Sequence, residues 1–254
     1  MSRFSRKLKV SGADLCRFTN SPITRVKWRS TCGGAPQALI PRGVIVGRLA
    51  ELAEYKYDGL SALEAIVASS PYGSLHQAVA SLTIFTHPLT VDRLGPANLF
   101  RTVRNAARRG EIIDTPDGPV MFDDNKSPTD AFMWANTWTK RGRDLQFNHV
   151  YQASDAVAHY TNLRNICVSP SFLAKLTDTH EEIIDLLRHR VYDLYGYTGP
   201  EELTPEIPAT YSRLYWANPL PPVENPIGVI AARLDRRKKD RTAVSAKSLG
   251  WVGG

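Results

Sequence analysis

The chain has 254 residues, a 43% hydrophobic and 22% charged composition and a net charge of +7, which excludes wholesale disorder, a low-complexity fibre and a stapled mini-protein. Its cysteines, Cys16, Cys32 and Cys167, lie far apart with no CxxC pair, so neither a disulfide framework nor a zinc knuckle is expected. The longest stretch without Asp, Glu, Lys or Arg, Ala65 to Val91, is broken by prolines, serines and histidines. No membrane span is expected from it, and no apolar signal follows the basic N-terminus, so the expectation is a cytoplasmic protein.

Charge is unevenly placed. Residues 1–50 carry +9 and residues 231–254 carry +5, so the segment between them carries −7. Two basic ends around an acidic centre point to a polyanion, of which nucleic acid is the commonest inside cells. Solvated, solubilising tails would carry the same charge pattern. In the first arm, residues 1–42, Phe4, Phe18 and Trp28 interleave with the cations, as base stacking or local packing would both require.

The elements follow in chain order. Residues 43–57 have apolar positions at helical spacing, closed by Asp58–Gly59. A second helix is expected from Ser61, in a capping box with Glu64, to Ser70–Pro71, and a third over Ser74 to Phe85. Pro96 opens a fourth over 97–109, with Leu99, Phe100 and Val103 on one face and Arg101, Arg104, Arg108 and Arg109 mostly outside it. Glu111–Asp114 and Pro119–Phe122 around Pro116–Asp117–Gly118 read as a β-hairpin. Helices, an Arg-rich helix and a hairpin form the order of a winged helix-turn-helix, whose Arg-rich helix would read the major groove. Packing of a small α+β unit would also produce that order.

Residues 123–144 link this region to the next and hold a short amphipathic helix from about Pro128 to Thr137. From Leu145 to Thr177 the pattern is strand, loop, strand, helix. Leu145–Tyr151 alternates and carries Asn148–His149, Asn162–Leu163 follows a ten-residue loop, Ile166–Val168 is an apolar strand, and Ser169–Pro170 opens a helix. Thr179 and Glu182 would cap a further helix, Glu181–Tyr195. The remainder, 201–254, is proline-rich, reads as an extended tail and ends in a basic run.

The run from Asn148–His149 through NLRNICVSPSFLAKLTD resembles the HNH, or ββα-metal, nuclease family, over about 35 residues. The resemblance implies a restriction-type or phage-defence endonuclease hydrolysing double-stranded DNA with a divalent cation, Mg²⁺ by its donor chemistry. His149 would be the general base and Asn162 the orienting amide, although Asn165 is equally placed for that role. Asn148 stands where the family has Asp or His, and Ser171 or Phe172 where its last His falls, so Asn148, Asp178 and His180 would be the metal ligands. Arg101, Arg104, Arg108, Arg109, Arg164 and Lys175 would contact the nucleic acid, and cutting of palindromes would imply a homodimer.

The expected architecture is therefore α+β. A basic arm (1–42) precedes a helical recognition region with a winged-helix-like hairpin (43–144), a ββα-metal-like catalytic unit (145–200) and a tail (201–254). Two other functions fit the charges: a nucleic-acid-binding protein without chemistry, and a packaging protein whose basic ends bind while its centre assembles.

Overall fold

The computed structural model describes residues 58–95 and 98–252. The basic arm and the helix expected over 43–57 lie outside the described residues.

The first helix, α1 (Gly59–Ala68), begins earlier than the spacing of Ser61 and Glu64 predicts. Asp58 is its cap and accepts from the amides of Leu60 and Ser61, while the Ser61 hydroxyl, already inside the first turn, donates back to Asp58. The helix expected over Ser74 to Phe85 forms as α2 (Leu75–Leu82), capped by Ser74, and a short helix not expected, α3 (Pro88–Leu94), follows with proline in its first turn.

The Arg-rich helix expected over 97–109 does not form among its described residues, 98–109. In its place stand an extended segment, strand β1 (Thr102–Arg104) and a single 3-10 turn (Ala106–Arg108) capped by Asn105. The physical reason is tertiary. Leu99 and Phe100 are both 1% exposed, and their backbone groups are taken up by distant partners instead of helical ones. The Leu99 carbonyl accepts from Val252, and Phe100 bridges Trp251 while both of its backbone groups bond the Thr161 hydroxyl. Packing overrides propensity here.

The hairpin is as expected: β2 (Ile112–Thr115) runs antiparallel to β3 (Gly118–Asp123), with Thr115 opposite Gly118. Strand β1 adds in parallel to the other side of β3, giving the order β1-β3-β2. With a strand where the reading helix was expected, the winged-helix arrangement is not what these residues form. Helix α4 (Lys126–Ala135) follows, entered through Asn125 at φ 55°, and Pro128 sits in its first turn, where an N–H has no helical partner.

The second sheet is the antiparallel pair β4 (Leu145–His149) and β5 (Ile166–Pro170), with His149 opposite Ile166 and Asn148 opposite Cys167. Between them lie α5 (Val157–Tyr160) and a 3-10 turn (Leu163–Asn165); after them come the short α6 (Ser171–Ala174) and α7 (Leu176–Thr179), then α8 (Glu181–Tyr195). The expected Thr179–Glu182 box does not form. His180 occupies the cap position of α8 without a side-chain bond, because the Thr179 hydroxyl donates to the Lys175 carbonyl one turn back.

Strand β5 joins two cores. Ile166 and Val168 pack with Phe132, Trp134 and residues of α9 (Pro226–Arg236) and α10 (Arg241–Leu249), while Cys167 packs on the opposite side with Phe85, Leu173, Ile183 and Leu187. This is the two-residue alternation of a strand buried on both faces. The C-terminal region is extended only to about residue 225. Its basic run is built into α9 and α10, whose Ile230, Leu234, Ala243 and Ala246 are core residues. No helix among the described residues is long and apolar enough to cross a membrane. The fold is mixed α+β.

Candidate functional site

Strand β4 ends at His149, and the chain from there to Ile166 is a loop whose mouth must be tied across. Asn165, 0% exposed, does this. Its side-chain oxygen accepts from the Tyr151 amide at 2.7 Å, and its nitrogen donates to the carbonyls of Tyr151 (3.1 Å) and His159 (3.2 Å). Asn162, assigned that role by position, instead caps the 3-10 turn: it accepts from the Arg164 amide at 3.0 Å and donates to the Ala158 carbonyl. Both asparagines hold the loop, but Asn165 spans it.

The loop delivers Tyr160 to His149. The imidazole Nε2 lies 2.8 Å from the Tyr160 carbonyl oxygen, which can only accept, so Nε2 carries the proton and Nδ1 keeps its lone pair. Nδ1 has no hydrogen bond among the described residues. Burial pushes the His149 pKa below its ordinary value; the Tyr160 bond opposes this, the Arg104 charge adds to it, and the Asp178 charge opposes it. The ring is thus neutral near neutral pH, as a general base must be.

His149 lines a cleft of about 530 Å³ with Arg104, Asn125, Gln146, Asn148, Gln152, Ser154 and Asp178. Of the residues expected from the sequence, the cleft brings together His149, Asn148, Asp178 and Arg104. Asn148 is buried, and its side-chain nitrogen donates to the Ser169 hydroxyl at 2.8 Å, leaving its oxygen without a hydrogen bond among the described residues. Asp178 is half-exposed, 3.8 Å from Lys175. His180 does not line the cleft, and neither do Asn162, Arg164 or Lys175.

The arginines expected on one reading face are dispersed because the helix that would align them is absent. Arg101 clamps the hairpin turn through the carbonyls of Pro119 (3.0 Å) and Asp117. Arg108 pairs with Glu111 at 2.8 Å and lies over the Phe122 ring, and Arg109 faces Asp124 at 3.7 Å. Arg104 alone reaches the cleft, exposed at the end of β1.

Among the described residues, no three His, Cys, Asp or Glu side chains converge as a closed metal site would need. Cys167 is fully buried, and burial pushes its thiol up to about 12, so it stays protonated. Among the described residues that line the cleft, Asp178 is the one carboxylate, and amide and hydroxyl oxygens come from Asn125, Gln146, Asn148, Gln152 and Ser154. Mg²⁺ retains several waters and takes few protein ligands where phosphate completes the shell, so this set fits such an ion and not a caged one.

Several cleft residues carried no motif. Gln146 shares a strand face with Asn148 and was legible from the alternation; Asn125, Gln152 and Ser154 had no signal beyond polarity. Compared with models of known families, with curated proteins and with solved structures, the chain finds no match.

Proposed function

We propose that the protein is a divalent-metal-dependent endonuclease that hydrolyses phosphodiester bonds of DNA in the cleft at the end of β4. The observation that carries this reading is the state of His149, which lines a cleft with an arginine and a carboxylate: one ring nitrogen is tied to a backbone carbonyl, and the other has no hydrogen bond among the described residues. A proton passes from water to Nδ1 as the water oxygen bonds to phosphorus. The bond from phosphorus to the leaving sugar oxygen breaks, and that oxygen takes a proton from solvent. Such a base contributes on the order of 10²–10⁴ in rate. Arg104 balances the charge that builds on the phosphoryl oxygens. A divalent ion, held by Asp178 and the Asn148 oxygen, would supply further charge stabilisation there.

The thin ligand set favours one other reading, a protein that binds nucleic acid in this cleft without cutting it. Plasmid nicking with and without Mg²⁺ separates the two. Expected is divalent-dependent nicking that His149→Ala abolishes while duplex binding in EDTA persists; binding without nicking under every divalent ion would establish the second reading.

A further inference from the structure

Among the described residues one residue both bonds and stacks on His149, and it is tied through Asp123 to α10. Tyr160 supplies the carbonyl that accepts from Nε2, and its ring stacks on the imidazole with centroids 5.5 Å apart and planes 20° from parallel. The side chain is 0% exposed, and its hydroxyl has two partners. It accepts from the Asn125 amide at 2.7 Å and donates to the Asp123 carboxylate at 3.3 Å. The direction of the second bond is fixed, because the amide can only donate and a carboxylate only accepts.

Asp123 is also 0% exposed, and three donors converge on its carboxylate. Besides Tyr160 these are the Ser127 amide at 2.6 Å and the Arg241 guanidinium at 2.8 Å. Arg241 is the first residue of α10, whose Ala243 and Ala246 lie in the core that also holds Ile166 and Val168. A buried carboxylate is costly unless paired, and the α10 guanidinium is its charge partner. Every link therefore has one allowed donor and acceptor: Arg241 to Asp123, Tyr160 to Asp123, and His149 to the Tyr160 carbonyl.

We infer that Tyr160, Asp123 and Arg241 form a positioning chain that fixes the plane of the His149 ring and keeps its Nε2 proton on the backbone, so that Nδ1 faces the cleft. None of the three touches the reacting atoms. The chain makes the C-terminal helix part of the site: a strand-end histidine otherwise has free rotation about two side-chain torsions, and the stack together with the carbonyl bond removes it.

Two measurements on the full-length protein test this, one kinetic and one spectroscopic. The kinetic arm rests on the nuclease reading; the spectroscopic arm does not. In histidine-labelled protein the carbonyl-bonded Nε2 proton of His149 should exchange slowly with water. Tyr160→Phe keeps the ring and the carbonyl but loses both hydroxyl bonds, and Arg241→Gln loosens Asp123. Each should speed that exchange at least tenfold while circular dichroism stays unchanged, and Arg241→Lys should restore slow exchange. For cleavage, loss of a supporting contact of this kind typically costs about 10–100-fold, here expected in kcat with KM unchanged. Unchanged exchange in folded Tyr160→Phe and Arg241→Gln overturns the inference, as does a change confined to KM. If the wild type does not cut DNA, the nuclease reading falls and the exchange rates alone decide this one. If Tyr160→Phe fails to fold, Arg241→Gln and its lysine rescue decide it.

Discussion

Replacing Asn165 by alanine measures how much of the cleft's geometry rests on one amide. The substitution deletes a fully buried side chain that makes three backbone bonds. The largest loss is at the Tyr151 amide, which has the Asn165 oxygen as its partner; a buried donor left unpaired costs about 1–3 kcal/mol. The two carbonyls suffer less. Tyr151 O still accepts from Ala153 at 2.8 Å, and His159 O from Asn162 at 3.4 Å, so each loses about 0.5–1 kcal/mol. The expected destabilisation is about 3 kcal/mol, which for a protein of this size lowers Tm by about 6–12 °C. Asn162→Ala loses one carbonyl bond and a cap of a single 3-10 turn, worth about 1 kcal/mol. Urea and thermal unfolding of both variants give the comparison. The reasoning is refuted if Asn162→Ala is as damaging as Asn165→Ala, or if Asn165→Ala costs less than 1 kcal/mol.

Three further outcomes follow from buried charge and core. Lys126 bonds Asp240 at 2.9 Å and Thr242 at 3.3 Å, and also meets Asp130, whose pKa burial raises despite that bond. Lys126→Ala should cost about 2–4 kcal/mol in urea unfolding, allowing for the third of the side chain that water reaches, and adding Asp130→Asn should recover part of it. The folded His149 has a pKa below its unfolded value of 6.5, so its contribution to stability is present above pH 6.5 and is lost as pH falls, since only the unfolded chain takes up the proton. Wild type should lose up to about 1.4 kcal/mol per pH unit more than His149→Phe just below that pH; parallel stability curves would contradict the burial of the ring. Deleting residues 226–254 removes Ile230, Leu234, Ala243 and Ala246 from the core and Arg241 from Asp123, and should abolish cooperative unfolding; an unchanged midpoint would show the tail reading to be right after all.

The elements legible in the sequence are those whose pattern is local and whose packing agrees with it. Helix α8 shows its apolar stripe in Ile183, Leu187 and Val191, and the hairpin its Asp117–Gly118 turn. Residues 97–109 have a helical stripe as well, but Leu99 and Phe100 are claimed by Trp251, Val252 and Thr161, all more than 60 residues away. No window around residue 100 contains that information. The C-terminal helices were obscured differently: the cations of Arg233–Arg241 dominate the reading, although Asn225–Pro226 is a cap-and-proline start and Ile230 and Leu234 stand one turn apart.

The site shows the same division. His149 and Asn148 were legible because β4 and β5 lie close in sequence, and the choice between Asn162 and Asn165 was not, because it depends on register. With His149 opposite Ile166, the ladder carries on to the bond from the Val150 amide to the Asn165 carbonyl, which sets Asn165 beside Tyr151 across the loop mouth. A shift of one residue would turn its side chain to the other face. Arg104 reaches the cleft only because β1 pairs with β3 and its own amide bonds the Ser154 carbonyl within the loop after His149. Asp123 and Arg241 lie 118 residues apart and meet beneath Tyr160. His149 and the Tyr160 that bonds it are thus in one segment, while the groups that hold Tyr160 come from β3 and α10, and only the packing of those elements around the loop brings them to it.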